Sequence, residues 1–592
     1  MRILSLIVFT LILVGHSDAE SPLPAGGHRV VESDSSIIDK LDVRLADGTW
    51  GTSVISAVDH PQFEKSLRID LTKQPQNTWD ASFGIATTGP VAKDDILLVG
   101  FWLRGNALEN DGGAVAEFVF ERFGEPYTKS IQFLAESPAD GSWEHYWVRF
   151  RSLEDYDAGV AGLNFQLGYQ RETIEIAGLE AWNFGKDFNI DSLPNTQLTY
   201  QGRSPSADWR TESAQRIETL RKRDIKITLV DENGDPRSGV KVSVELDRHA
   251  FDFGSAVSVP MVTGQGPDHD RYRETFLDTF NCAVIENGLK WGVWEQTQDR
   301  RTATLDTLRW LKQEGVPSRG HVMVWPSFKN SPGWVAPIAD HPQSLAHTID
   351  THIRDVGYAT RGLVRDWDVL NEVFDNLDWT RILGDQAMVG WFKLADEVAP
   401  DADLYYNDYA GLVRGGFPTK HKDHFEETIR YLKDNGAPID GIGIQSHFGS
   451  LLTPPQRLIA ELDRWHALGL KVLITEFDVV VPDDQLQADF TRDFLTACFS
   501  HPAVVGVLTW GFWEGAHWKP DAALFSKDWS PTPMGSQWIR LTQQEWTTKT
   551  SVVTDQNGVA GFRGFAGTYN VTVGDEAYRV DASQDGEAQR ID

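Results

Sequence analysis

Eight short apolar segments between residues 253 and 510, separated by stretches with helical periodicity, predict a (β/α)8 barrel. Two further observations complete the fold class. Residues 20–190 are strand-like throughout, with breaks at Gly, Asp and Pro and no long helical period, which predicts a β-sandwich of jelly-roll type. Alternating stretches of similar texture flank the barrel segment, around Asp231–Pro236 and Asp555–Gly558, and predict small β elements on either side of it. The expected class is therefore α/β, a TIM barrel preceded by a β-sandwich module.

With 592 residues the chain exceeds what one hydrophobic core serves, so several domains are expected. Lys plus Arg number 55 and Asp plus Glu 86, giving a formal net charge of −31. Such acidity disfavours nucleic acid and anionic membranes and suits action on a neutral polymer, although solubility alone also accounts for it.

Taken in order, the chain opens with Met1-Arg2, an apolar run from Ile3 to Val14, and Ser17-Asp18-Ala19. These are the charged, apolar and small-residue parts of a secretory signal peptide, expected over 1–19. The run is short for a membrane span, and no later segment offers about 18 unbroken apolar residues. The expectation is a secreted protein, extracellular or periplasmic, with no membrane partner. Cys282 and Cys498 are the only cysteines, and their apolar contexts favour buried thiols over a bridge. No Cys or His cluster has zinc-ligand spacing, and the loop Gly264–Asp270 lacks the acidic spacing of a calcium loop, so neither metal nor cofactor is expected.

In the module at 20–190 the clearest strands are Ile96–Leu103, Ala116–Phe120, Trp147–Phe150, Leu163–Leu167 and Ile174–Trp182. Most of Trp50, Trp79, Trp102, Trp143, Trp147 and Trp182 are expected in packing, with one or two exposed for sugar stacking. Trp79-Asp80, Gly100–Arg104, Gly141–Trp147 and Thr173–Leu179 give this region a texture that resembles xylanase-associated carbohydrate-binding modules. A linker with a short helix at about Thr211–Arg223 is expected over 191–223, then a small β hairpin or partial sandwich over 224–250. The barrel follows over 251–547, and a β tail that can pair with the earlier β element over 548–592. The barrel strands are read as Phe253–Val257, Asn281–Glu286, Ser318–Trp325, Trp367–Glu372, Leu404–Tyr409, Gly441–His447, Val472–Glu476 and Val505–Trp510.

Two of those strands end in carboxylates, Glu372 after Trp367-Asp368-Val369-Leu370-Asn371 and Glu476 after Val472-Leu473-Ile474-Thr475. One such Glu alone is usually solvated or a helix cap. Two on parallel strands of one barrel can flank a single bond, the minimum for hydrolysing a glycoside. With these stretches in view, residues 253–546 resemble family 10 of the glycoside hydrolases, the family of endo-β-1,4-xylanases. The resemblance implies retaining hydrolysis, with Glu372 as general acid and then base and Glu476 as nucleophile. It implies that Asn371 holds the sugar 2-hydroxyl, and that Asn281–Trp291 supplies Glu286, Asn287 and Lys290 to the non-reducing side of the cleaved bond.

By the same resemblance Arg319–Trp325 brings His321 and Trp325 to the site, and Gln445-Ser446-His447 brings Gln445 and an imidazole that orients the nucleophile. Asp478 lies on the same strand face as Glu476 and is expected to pair with His447. Trp510 is the expected aromatic floor, extended by Trp513 and Trp518, while Asn407 in Tyr406-Asn407-Asp408-Tyr409 is read as structural. The chain departs from the family at Pro326, where many members carry a second His. The leading expectation is a secreted, monomeric endo-β-1,4-xylanase acting on xylan. Another β-1,4-glycan, such as β-glucan or cellulose, and a non-catalytic polysaccharide-binding protein stay as alternatives.

Overall fold

The structure is a computed structural model that describes residues 23–31, 37–109, 112–583 and 589–591, so the signal-peptide stretch lies outside the described residues. The chain divides into two compact units, Met1–Gln197 and Leu198–Asp592.

The first unit holds two antiparallel sheets. One orders its strands Gly51–His60, Phe63–Leu71, Glu172–Asn183, Ile96–Ala107 and Glu144–Arg151, with the short His28–Arg29 paired to Glu172–Asn183. The other runs Asp42–Arg44, Ser82–Ala86, Ala161–Gln166, Val115–Arg122 and Lys129–Glu136. Alternation turns one face of each sheet inward. Leu67, Phe101, Leu103 and Ile176 from the first meet Phe83, Phe118, Leu163 and Phe165 from the second in one core, so the module is a β-sandwich. Gly100 shows how tightly its outer side packs, because a Cβ there would stand 2.5 Å from the Trp147 ring. Trp79 is the exception among the tryptophans named above, being 61% exposed.

In the second unit eight parallel strands close into a barrel: β1 (Asp252–Val257), β2 (Cys282–Ile285), β3 (Ser318–Val324), β4 (Asp366–Asn371), β5 (Asp403–Asp408), β6 (Gly441–Ile444), β7 (Lys471–Val479) and β8 (Val504–Thr509). The ring of pairings is closed: β1 pairs with both β2 and β8, and β6 with β7. The lumen is filled by Ala256, Cys282, Val284, Tyr405, Leu473, Leu508 and Trp510. A charged layer joins them, with Arg319 of β3 buried against Asp368 (2.7 Å) and Asp366 (3.8 Å) of β4. Outward-facing strand residues and the surrounding helices form the larger apolar core.

Two expectations are corrected. The strands on either side of Asp231–Pro236, Lys222–Leu229 and Lys241–His249, do not form a hairpin but lie in different sheets, each paired with the tail. Residues before and after the barrel thereby build one small sandwich around Ile227, Val242, Val244, Tyr569 and Val571. Nor do residues 198–221 hang as a linker. Tyr200 and Trp209 are buried, Arg210 makes two 2.7 Å bonds to the buried Asp493, and Arg221 donates to the carbonyls of Phe499, His501 and Val504. Asp493 belongs to the barrel helix Asp484–Phe499. Cys282 and Cys498 are free and buried, and among the described residues no helix is long and apolar enough to cross a membrane.

Candidate active site

At the end of β4 the chain leaves the barrel through Glu372, whose φ of 49° and ψ of 53° lie in the left-handed region. A side chain with a Cβ is seldom held there without outside support. That support is present: Glu372 N donates to Asn407 O at 3.0 Å, and Asn376 Nδ2 donates to Glu372 O at 2.7 Å. The half-buried carboxyl accepts from Gln445 Nε2 at 2.8 Å. Burial raises its pKa above the ordinary glutamate value against the Gln445 bond, and the negative charges of Glu476 and Asp408 add to the rise.

Asn371 is fully buried. Its Oδ1 accepts from Asn407 Nδ2 at 3.0 Å and Gln445 Nε2 at 3.5 Å, while its Nδ2 has no partner among the described residues. An unpaired buried donor is costly unless a ligand meets it.

Within β7, Glu476 and Asp478 are two residues apart and so share a face. Glu476 Oε1 accepts from Asn407 Nδ2 at 2.9 Å, and Oε2 lies 3.1 Å from His447 Nε2. The other imidazole nitrogen is 2.8 Å from Asp478 Oδ2. Burial disfavours the imidazolium, but the bonds to Asp478 and Glu476 outweigh it and push the His447 pKa up to about 9. His447 is therefore a cation at neutral pH that donates to both carboxylates. The carboxyl groups of Glu372 and Glu476 are thus linked through Gln445, Asn371 and Asn407.

The remaining predicted residues gather around this pair. His321 lies 3.0 Å from Asp368 and 4.0 Å from Glu476 Oε1. Its ring is edge-on to Trp510 with centroids 5.1 Å apart. Lys290 Nζ sits 5.8 Å from the Trp325 ring and 5.6 Å from that of Trp510, and donates to Asn287 Oδ1 at 2.8 Å. Burial lowers its pKa, and the charges of Glu476, Glu286 and Glu372 oppose that, which places Lys290 in the field of all three. Burial raises the Glu286 carboxyl in turn, countered by Lys290. Trp325 Nε1 is buried with no partner among the described residues, and Pro326 beside it is buried with its carbonyl accepting from Trp379 N.

Trp518 is 49% exposed, edge-on to His447, and donates through Nε1 to Asp478 Oδ2 at 2.9 Å. Trp513 does not extend the floor: it is 8% exposed and its ring lies 4.4 Å from Trp529 in a parallel stack. Two residues were missed. Asn407, read as structural, bonds Glu476 directly, and the period-two alternation that places Tyr405 in the lumen also places Asn407 there. Lys519, which donates to Asp478 Oδ1 at 3.0 Å, carries no signal in the sequence. Among the described residues no three His, Cys, Asp or Glu side chains group as metal ligands.

Comparison with known proteins bears on this geometry. The model of glycosyl hydrolase family 10 matches residues 244–539, which is 539 − 244 + 1 = 296 of 592 residues. Anti-sigma-I factor RsgI6 of Acetivibrio thermocellus is 32% identical over 375 residues, covering 62% of this chain and 47% of its own. Endo-1,4-beta-xylanase 1 of Arabidopsis thaliana is 28% identical over 451 residues, covering 72% and 46%. The chain thus spans about half the length of these two relatives. Xylanase 10B of Thermotoga petrophila, solved in complex with xylobiose, is 26% identical with a TM-score of 0.46, covering 50% of this chain and 95% of its own. With half its length matched by the family model, the chain belongs to glycosyl hydrolase family 10.

Proposed function

We propose that the chain is a secreted endo-β-1,4-xylanase that cleaves internal linkages of xylan with retention of configuration. The observation that carries this reading is the pair of unlike carboxyls at the ends of β4 and β7. Glu372 is desolvated and held towards its acid form, while Glu476 receives the Asn407 amide and the His447 imidazolium. Such separation of environments supports the reading of Glu372 as acid and Glu476 as nucleophile.

In the first step Glu476 attacks the anomeric carbon while Glu372 gives its proton to the departing glycosidic oxygen. The C–O bond breaks and a glycosyl ester forms on Glu476. In the second step Glu372, now a carboxylate, takes a proton from water as the water oxygen attacks the same carbon and Glu476 leaves. The unpaired Nδ2 of Asn371 suits the sugar 2-hydroxyl, whose hydrogen bond strengthens as positive charge develops at the neighbouring carbon. His447 supports the reading by holding one oxygen of Glu476 and leaving the carboxylate aligned. Trp510 and Trp325 offer apolar faces to the sugar ring, and Glu286, Asn287 and Lys290 offer donors and acceptors for its hydroxyls.

Retention requires carboxyls about 5 Å apart. Proton NMR of the first product formed from xylan tests it: the β anomer is expected, and an α anomer appearing first would overturn retention. A second polymer is favoured by one observation. Pro326 offers the catalytic subsite no donor, so sugar release from xylan is to be compared with β-glucan and cellulose, and equal or greater release from either would replace the substrate. The amino-terminal module is proposed to bind polysaccharide, supported by the exposed indole of Trp79. In the full chain, W79A is expected to weaken retention on insoluble xylan and leave turnover of soluble xylan unchanged, and unaltered retention would count against Trp79 as the contact.

A further inference from the structure

We propose that Lys519 is a positioning residue for the nucleophile: by neutralising Asp478 it leaves the His447 cation shared between Asp478 and Glu476. The inference rests on the assignment of Glu476 as nucleophile and adds a residue that acts on Glu476 through Asp478 and His447.

The geometry is specific. Asp478 is fully buried and receives three donors, one from the short strand His447–Phe448 and two from residues 518 and 519. His447 Nδ1 (2.8 Å) and Trp518 Nε1 (2.9 Å) meet its Oδ2, and Lys519 Nζ (3.0 Å) meets its Oδ1. Burial raises the Asp478 pKa, yet His447 and Lys519 together hold it below the ordinary aspartate value. Segment 517–519 is itself fixed, since Lys519 N donates to His517 Nδ1 at 3.0 Å and the Lys519 ammonium lies 4.2 Å from the Trp518 ring centroid.

The charges then decide the role. Glu476 and Asp478 supply two negative charges, His447 and Lys519 two positive ones, and the four are balanced. Without Lys519 a buried carboxylate oxygen loses its only donor named above, and one imidazolium must serve two carboxylates. Asp478 then holds His447 more strongly, and the imidazolium's bond to Glu476 weakens. The other groups facing these carboxylates do not replace the lost charge. His517 is pushed down to about 4 by burial and is neutral. His321 is engaged by Asp368, Lys290 lies among Glu286, Glu372 and Glu476, and Glu372 is a second acid.

The test is the pH profile of kcat and KM on a soluble xylan for wild type, K519M, K519Q and K519R, with thermal unfolding recorded for each. K519M and K519Q are expected to move the acid limb of kcat up by about one pH unit, with kcat on that limb down about tenfold and KM changed less. K519R, which keeps the charge, is expected to restore the limb. An acid limb unmoved in the neutral variants, or moved as far in K519R, would overturn the proposal, because a merely structural lysine lowers activity without shifting the limb. K519Q carries the same test if K519M does not fold. Trapping wild-type enzyme with a 2-deoxy-2-fluoro xyloside separates the two assignments: label elsewhere than Glu476 refutes the nucleophile, whereas label at Glu476 with an unmoved limb refutes Lys519 alone.

Discussion

Asn407 offers the sharpest test of how the site is held. Its Nδ2 bonds Glu476 Oε1 at 2.9 Å and Asn371 Oδ1 at 3.0 Å, and its Oδ1 accepts from Thr475 Oγ at 2.7 Å. N407A removes a hydrogen bond to a charged group, a loss of about 1.5–3 kcal/mol. If that loss falls on the transition state, kcat drops about 10- to 150-fold. Asn371 keeps only the 3.5 Å contact from Gln445, so its hold on the substrate weakens as well. Thr475 also loses its acceptor, and part of the loss appears in stability. The assay is therefore kcat and KM on an activated aryl xyloside, together with the unfolding midpoint. N407D separates the contributions, since it preserves the Thr475 bond but sets a carboxylate against Glu476, and it is expected to be slower than N407A at neutral pH. A folded N407A with kcat within about threefold of wild type would refute the claim that Asn407 positions the nucleophile.

Three further outcomes follow from the same structure. Because burial raises the Glu372 carboxyl, the basic limb of kcat/KM is expected above the ordinary glutamate pKa, and E372A is expected to lose that limb; a wild-type limb at the unperturbed value would contradict it. His447 has a folded pKa of about 9 against 6.5 in the reference state, so its stabilising contribution is fully present below pH 6.5 and declines as pH rises through about 9. Denaturant titrations should show this decline in wild type and a flatter dependence in H447Q. R210A leaves the buried Asp493 with Tyr200 and Arg492 as partners, and is expected to destabilise the second unit by about 2–3 kcal/mol. Chemical denaturation checks it, and a change below about 0.5 kcal/mol would show that residues 198–221 hang free after all.

Much of this architecture is legible in the residues because barrel strands obey two simple rules. Buried parallel strands read as apolar runs, and polar residues are tolerated in them only in the lumen or at the carboxyl end. Trp367–Glu372 and Val472–Asp478 announce themselves for that reason, and the structure brings Asn371, Glu372, Glu476 and Asp478 together through Gln445, Asn407 and His447. What the residues do not show is that pairing across a long sequence distance replaces the local hairpin. The Asp231–Pro236 turn looks like a hairpin because local chemistry sets a turn, while the partner strand is chosen by a tail some 300 residues away. Polar composition made 191–223 read as a linker with a short helix, although Arg210 and Arg221 are charges placed to meet a buried Asp493 and the carbonyls of Phe499, His501 and Val504. Trp513 and Trp518 have the same chemistry and differ only in what covers them, Trp529 in one case and little in the other.

In the proposed mechanism Glu476 forms the covalent bond to sugar and Glu372 handles the proton. Incubation with a 2-deoxy-2-fluoro xyloside bearing a good leaving group, followed by mass spectrometry of the peptide containing β7, tests it most directly. One fluoroxylosyl group is expected on Glu476. Full inactivation with the label on another side chain, or steady turnover with no labelled protein, would contradict it.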